Sequence, residues 1–157
     1  MSAIFLNSND WLHILLRLAL ALLMGFTIGF NRKRNGRQAD IKTFMLVGMG
    51  SALFVMIPLQ AAGSDNLGAT ANALSRTIQG VTSGVGFIGA GLILQECPKE
   101  SSVPKVSGLA TAASIWIVAA LGAAIGCGLW HLGVLGTLFT LATLIGIKRN
   151  RKLDGRG

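Results

Sequence analysis

Residues 106 to 147 contain no Asp, Glu, Lys or Arg, an unbroken run of 42 positions. A helix needs about 20 mostly apolar residues to cross the hydrocarbon core of a bilayer, so this run has room for two crossings. Residues 43 to 64 and 77 to 95 are also free of charge, and Leu12 to Phe30 carries only Arg17. Hydrophobic side chains make up 52% of the chain and charged ones 13%, against roughly 25% charged in soluble domains. These features exclude a soluble enzyme, a disulfide-rich secreted domain and a disordered chain. The 14 basic residues against 6 acidic ones do not indicate nucleic acid. They cluster beside apolar runs, where they set topology and meet anionic headgroups, and no aromatic-interleaved basic face accompanies them.

The expected fold is an all-α membrane protein, a compact bundle of about five transmembrane helices. The spans are placed at about 11–30, 43–62, 77–95, 106–127 and 129–147, so that residues 1–147 form the transmembrane domain and 148–157 a basic tail. The last two spans divide at Gly126-Cys127-Gly128, which implies a tight hairpin. Twelve Lys and Arg fall on one side of this arrangement, in the loop before residue 43, between spans three and four, and in the tail. Arg76 stands alone on the other. By the positive-inside rule the N-terminus is outside and the C-terminus cytoplasmic, as expected for a multi-pass membrane protein. Trp11 and Trp130 then share the outer interface. The first apolar run is followed, not preceded, by Arg32, Lys33 and Arg34, the reverse of a secretory signal, so it is expected to be retained. Cys97 and Cys127 lie at opposite ends of one expected helix, too far apart for a disulfide.

Lipid tails are as apolar as leucine, so helices in a membrane associate through close backbone packing and interhelical hydrogen bonds. Gly25/Gly29, Gly80/Gly84 and Gly122/Gly126 supply GxxxG pairs on three spans, and Ala119 and Ala123 extend the last. These pairs argue for a compact bundle, one that can also oligomerise. Span three reads Ser83-Gly84-Val85-Gly86-Phe87-Ile88-Gly89-Ala90-Gly91. It matches GxGxxG, but a dinucleotide site requires that motif between a strand and a helix in a βαβ unit. Two readings remain: a slim helix packed against several neighbours, or a locally broken helix whose carbonyls line a cavity.

All six acidic residues fall outside the spans. This speaks against a proton relay, which uses intramembrane acids, and against a carboxylate-lined Mg²⁺ site, though a carbonyl-lined path escapes the objection. Arg17, about 9 Å along the helix from Trp11 at 1.5 Å per residue, is expected to snorkel to the outer headgroups. The alternative is a partner in the bundle such as Asp65 or a carbonyl. Arg76 is read as an interfacial anchor, or as lining an external vestibule. His13 and His131 are read as interfacial residues and not metal ligands. The segment Asn31 to Thr43, with Arg32, Arg37, Asp40 and Lys42, is a topogenic loop on anionic lipid, or one that docks a partner with Asp40 paired to Arg37 or Lys42. Thr111 and Ser114, near Gly108 and Trp116, form a polar stripe for packing or for lining a cavity. With no Ser-His-Asp, Cys-His or HExxH arrangement, an enzyme is not expected.

Three blocks of this sequence resemble the MgtC/SapB family of bacterial inner-membrane proteins. They are Gly29-Phe30-Asn31-Arg32 through Arg37 to Ile41-Lys42-Thr43 and on to Gly50-Ser51-Ala52-Leu53-Phe54; Ser83 to Gly91; and Gly108-Leu109-Ala110-Thr111-Ala112-Ala113-Ser114-Ile115-Trp116. The resemblance implies a part in magnesium or ion homeostasis and adaptation to low magnesium, exercised by regulating another membrane protein complex. The alternative is an oligomeric Mg²⁺ channel or transporter with a carbonyl-lined path. It implies no bound cofactor; Mg²⁺ enters as a regulator or as the transported ion, with no residues assigned to it. The lipid bilayer, a membrane protein complex and a second copy of the chain are the expected partners, and nucleic acid is not. Ser83, Gly84, Gly86, Phe87, Gly89 and Gly91, with Gly108, Thr111, Ser114 and Trp116, are the expected interaction core. Where the family usually has Glu before its Arg this chain has Asn31, and a Gly-Leu-Arg-Thr stretch reads Asp40-Ile41-Lys42-Thr43, so a carboxylate-dependent role of that loop is not carried over. Many members continue into a cytoplasmic domain; ligand sensing by such a domain is not expected here.

Overall fold

Five helices make up nearly all of residues 11–34, 40–61, 67–95 and 108–153, the parts described in a computed structural model of the chain. In chain order they are α1 (Trp11–Arg34), α2 (Ile41–Ala61), α3 (Leu67–Gln95), α4 (Leu109–Gly126) and α5 (Trp130–Leu153). Among the described residues there is no strand. The first four are long and apolar enough to cross a membrane, while the apolar part of α5, Trp130–Gly146, is shorter. This is an all-helical membrane protein.

Three helices run well past the charge-free stretches that predict them; α5 does so through Lys148, Arg149, Arg151 and Lys152 to Leu153, so the first part of the expected basic tail, residues 148–153, is helix. The last turn of α1 takes in Arg32, Lys33 and Arg34, cations that oppose the negative end of the helix dipole. α3 starts at Leu67, ten residues before the expected span. Ala69, Ala71, Ala73 and Leu74 are strong helix formers, and one Arg ends a hydropathy window without ending a helix. At 29 residues, α3 is about 43 Å long, more than a bilayer core of about 30 Å requires.

α1, α2 and α4 form the centre. Their inward stripes meet around Ala21, Ile28, Phe44, Ile115 and Val118, none of which is exposed at all. Glycine lets the backbones touch. A Cβ added to Gly122 would overlap the Gly48 carbonyl, and one on Gly126 would lie 2.5 Å from the Ala52 carbonyl oxygen. The pairs Gly48–Gly122 and Ala52–Gly126 advance together, so α2 and α4 run parallel. On the other side, Gly25 lies against the Phe44 backbone, where an added Cβ would be 2.6 Å from its carbonyl oxygen. Two of the three expected GxxxG pairs therefore do pack the bundle.

α3 and α5 flank this centre. In the apolar part of α3 only 11% of residues are buried, against 56% in α4. The α4–α5 hairpin closes with a Schellman turn: the Leu129 N–H donates to the Ala124 carbonyl and the Gly128 N–H to that of Ile125, both at 2.9 Å. Gly128 there has φ 80°, a left-handed conformation that glycine adopts without strain.

Candidate functional site

Polar side chains inside the bundle are few: Arg32, Ser51, Thr70, Thr111 and Ser114 are buried, and the Arg32 Nε alone is a buried side-chain polar atom with no hydrogen bond among the described residues. Ala21, Met24, Gly25, Ile28, Gly29 and Arg32 are the buried residues of α1, one stripe at three- and four-residue spacing. Arg32 ends that stripe and is 5% exposed. It does not belong to a loop, as the charge pattern implies, because α1 continues beneath it. Its Nη2 donates to the Thr111 hydroxyl at 2.6 Å, in the first turn of α4. The Ser114 hydroxyl donates back to the Ala110 carbonyl at 2.6 Å. Thr111, Ser114 and Gly108 thus lie inside, Gly108 with φ 89° at the N-terminus of α4. Trp116, from the same expected interaction core, points outward and is 48% exposed. The spacing that carries Ile28 and Gly29 inward also carries Arg32, so this buried pair had a signal in the sequence; the charge concealed it.

Arg17 does not simply snorkel. Its Nη1 donates to the Gly126 carbonyl at 2.8 Å, the last residue of α4, where the helix leaves carbonyls without intrahelical donors and the dipole favours a cation. A carbonyl was one of the two partners anticipated; Asp65, the other, lies outside the described residues. Since Trp11 opens α1 and Trp130 follows the α4 turn, the two indoles share one end of the bundle, with His131 stacked on Trp130. Arg32, Lys33 and Arg34 are at the other end. Asp40 there is exposed just before α2, and its carbonyl accepts from the Thr43 N–H at 3.1 Å. Lys42 is exposed and Thr43 half-buried, while Arg37 lies outside the described residues. Arg76 is exposed on α3. Among the described residues no three of His, Cys, Asp and Glu come together, and Asp40 is the only acid.

The glycine-rich segment of α3 departs most from expectation. It is continuous α-helix from Leu67 to Gln95, so its carbonyls are engaged within the helix, and the broken-helix reading fails. It is not packed on several sides either. Val85 and Gly89 are buried against the bundle, where an added Cβ on Gly89 would lie 3.4 Å from that of Ala112. Gly80, Gly84, Gly86 and Gly91 have nothing within 4 Å of an added Cβ, and Ser83 and Phe87 are exposed with them. α3 meets its neighbours along a single edge, which leaves the third GxxxG pair on the outside. Gly80 and Gly84 face a groove of about 700 Å³ between α2 and α3, floored by Val47, Ser51 and Val85 and edged by Phe54.

The sequence compares closely with known proteins. It is 62% identical over 155 residues to protein SrpB of Synechococcus elongatus, covering 98% of this chain and 85% of SrpB. It is 39% identical to YhiD of Escherichia coli K12, whose name carries a provisional assignment as a magnesium transporter, covering 83% of this chain and 58% of YhiD. Against protein MgtC of Brucella abortus strain 2308 the identity is 36%, covering 80% of this chain and 47% of MgtC. The chain thus spans about half the length of the YhiD and MgtC relatives. No solved structure matches it. The model of the MgtC family matches residues 18–153, which takes in the buried Arg32–Thr111 pair and all of α3: the chain belongs to the MgtC family.

Proposed function

We propose that this protein serves magnesium or ion homeostasis in the bacterial inner membrane, with its N-terminus outside, and that it does so by regulating another membrane protein. Family membership supports the magnesium connection. The observation that favours regulation over conduction is the closed centre. α2 and α4 touch backbone to backbone at Gly48–Gly122, and apolar side chains fill the space beside them. The segment that would have supplied a carbonyl-lined path is a continuous helix, with Gly84, Gly86 and Gly91 facing away from its neighbours' atoms. A regulator needs the opposite of a pore, a slim outward surface that another helix can approach. The groove edged by Gly80 and Gly84 offers one.

The test separates the two roles. Purified protein in sealed vesicles is expected to give no Mg²⁺ flux, while Gly84→Leu, whose Cβ meets nothing within 4 Å, abolishes growth support at low magnesium and leaves the protein folded. Flux through the wild type that Gly86→Leu abolishes would overturn the regulatory reading in favour of an oligomeric channel.

A further inference from the structure

Exposed helix faces in this protein are of two kinds. α5 presents Leu132, Leu135, Leu138 and Phe139, side chains that lipid solvates well. α3 has a stripe of another composition: Asn72, Ser75, Gln79, Ser83, Gly86 and Ala90, spaced three or four residues apart and all exposed. At 100° per residue they share one flank, roughly opposite the inward line of α3 through Thr70, Val81 and Val85, and none offers an aliphatic side chain larger than alanine. Depth can be read from neighbours. Ile78 lines a groove with Cys127, and Gly126 accepts from Arg17, so Gln79 lies near the level of Arg17, with Ser83 and Gly86 deeper. Within α3 the Gln79 amide reaches only the Ser75 hydroxyl, at 3.4 Å, and among the described residues no hydrogen bond engages the side chains of Asn72 or Ser83. Asn72, about 10 Å along α3 from Gln79, lies toward the interfacial level of Trp11; in hydrocarbon the Gln79 and Ser83 groups favour a protein neighbour that returns hydrogen bonds.

We infer that this stripe of α3 packs against the same stripe of a second copy of the chain, about a two-fold axis along the membrane normal. Copies inserted in the same sense have parallel α3 helices, so each residue meets its equivalent at equal depth. Gln79, Asn72 and the two serines each carry both a donor and an acceptor; paired with themselves, they are complementary. Lipid offers no such complement at the depth of Ser83. Gly86 and Ala90 permit the backbone approach that brings the polar groups into range. This contact lies on the flank of α3 away from the Gly80–Gly84 groove, so it goes beyond the regulatory reading and leaves that groove free.

Disulfide crosslinking in native membranes tests it. In a chain with Cys97→Ser and Cys127→Ala, Gln79→Cys, Ser83→Cys and Gly86→Cys are each expected to give a crosslinked dimer. Phe139→Cys, on the equally exposed α5, is expected to give only background. Photobleaching of single labelled particles reads association without cysteines: Gln79→Leu is expected to weaken dimerisation about three- to tenfold. Its helix content should be unchanged, because the residue is exposed and its amide bonds within α3 only. A monomeric wild type, crosslinking at Phe139→Cys as strong as at Ser83→Cys, or crosslinks formed only to a different protein would each overturn the proposal. Neither measurement reads growth or flux, so the regulatory function and the dimer fail separately.

Discussion

Gly84 and Gly122 both stand in GxxxG pairs, yet they do opposite things. An added methyl on Gly122 meets the Gly48 backbone, which cannot move aside as a side chain can. Gly122→Ala should cost about 1–3 kcal/mol, the range for overpacking a dense interior. Gly84→Ala meets nothing and should leave stability unchanged or raise it by up to about 1 kcal/mol, since alanine is the better helix former. Reversible unfolding of the two variants in mixed detergent micelles measures the difference, and equal losses would mean that α3 packs inside the bundle after all. Thr111 gives a second test. Thr111→Val keeps the shape and removes the hydroxyl that accepts from Arg32, a loss of about 1–3 kcal/mol for a buried donor deprived of that acceptor. Arg32→Met combined with Thr111→Val should lose less than the two single changes together. Neither contrast was legible in the sequence. Spacing marks which residues share a face, but the motif is the same whether the face meets a helix or lipid.

The helices themselves were largely legible. A charge-free run long enough to span has to satisfy its backbone internally, and in hydrocarbon only a helix does so within one segment. What the sequence misplaced were ends. α1, α3 and α5 continue past charges that hydropathy treats as boundaries, because a helix breaks at backbone misfits and not at cations. Where the backbone does misfit, the sequence is informative: Gly126-Cys127-Gly128 marks the turn, and the structure puts Gly128 at φ 80° with two capping hydrogen bonds. Gly128→Ala should therefore lose about 1–2 kcal/mol, the cost of a Cβ in the left-handed region, seen as a lowered thermal midpoint. Asn at the same position should lose less, since it tolerates that conformation. If alanine matched glycine there, the turn would have to close in another way.

Across the molecule, one end gathers Trp11, Arg17, the α4 terminus and Trp130, and the other the cations that close α1 and open α2. Indoles favour the interface, and Lys and Arg are retained on the cytoplasmic side, so the Trp end should face outward. In a background lacking native cysteines, a membrane-impermeant thiol reagent added to intact cells should label His131→Cys and spare Lys42→Cys; both positions are exposed in the fold. Labelling of Lys42→Cys alone would invert the topology. The arrangement also divides labour. α1, α2 and α4 hold the fold through backbone contact, while α3, attached along one edge, leaves most of its surface exposed.

Membrane residence, helical class and the number of helices were written in the chain, because the absence of charge over twenty or more residues admits few solutions in any solvent. Which glycines touch a neighbour was not, nor that Arg32 is buried against Thr111 while Gly84 is bare. Those outcomes depend on how five helices share a limited number of edges: once α2 and α4 take each other's closest faces, α3 is left with one side to bury, and of its glycine segment only Gly89 is buried there.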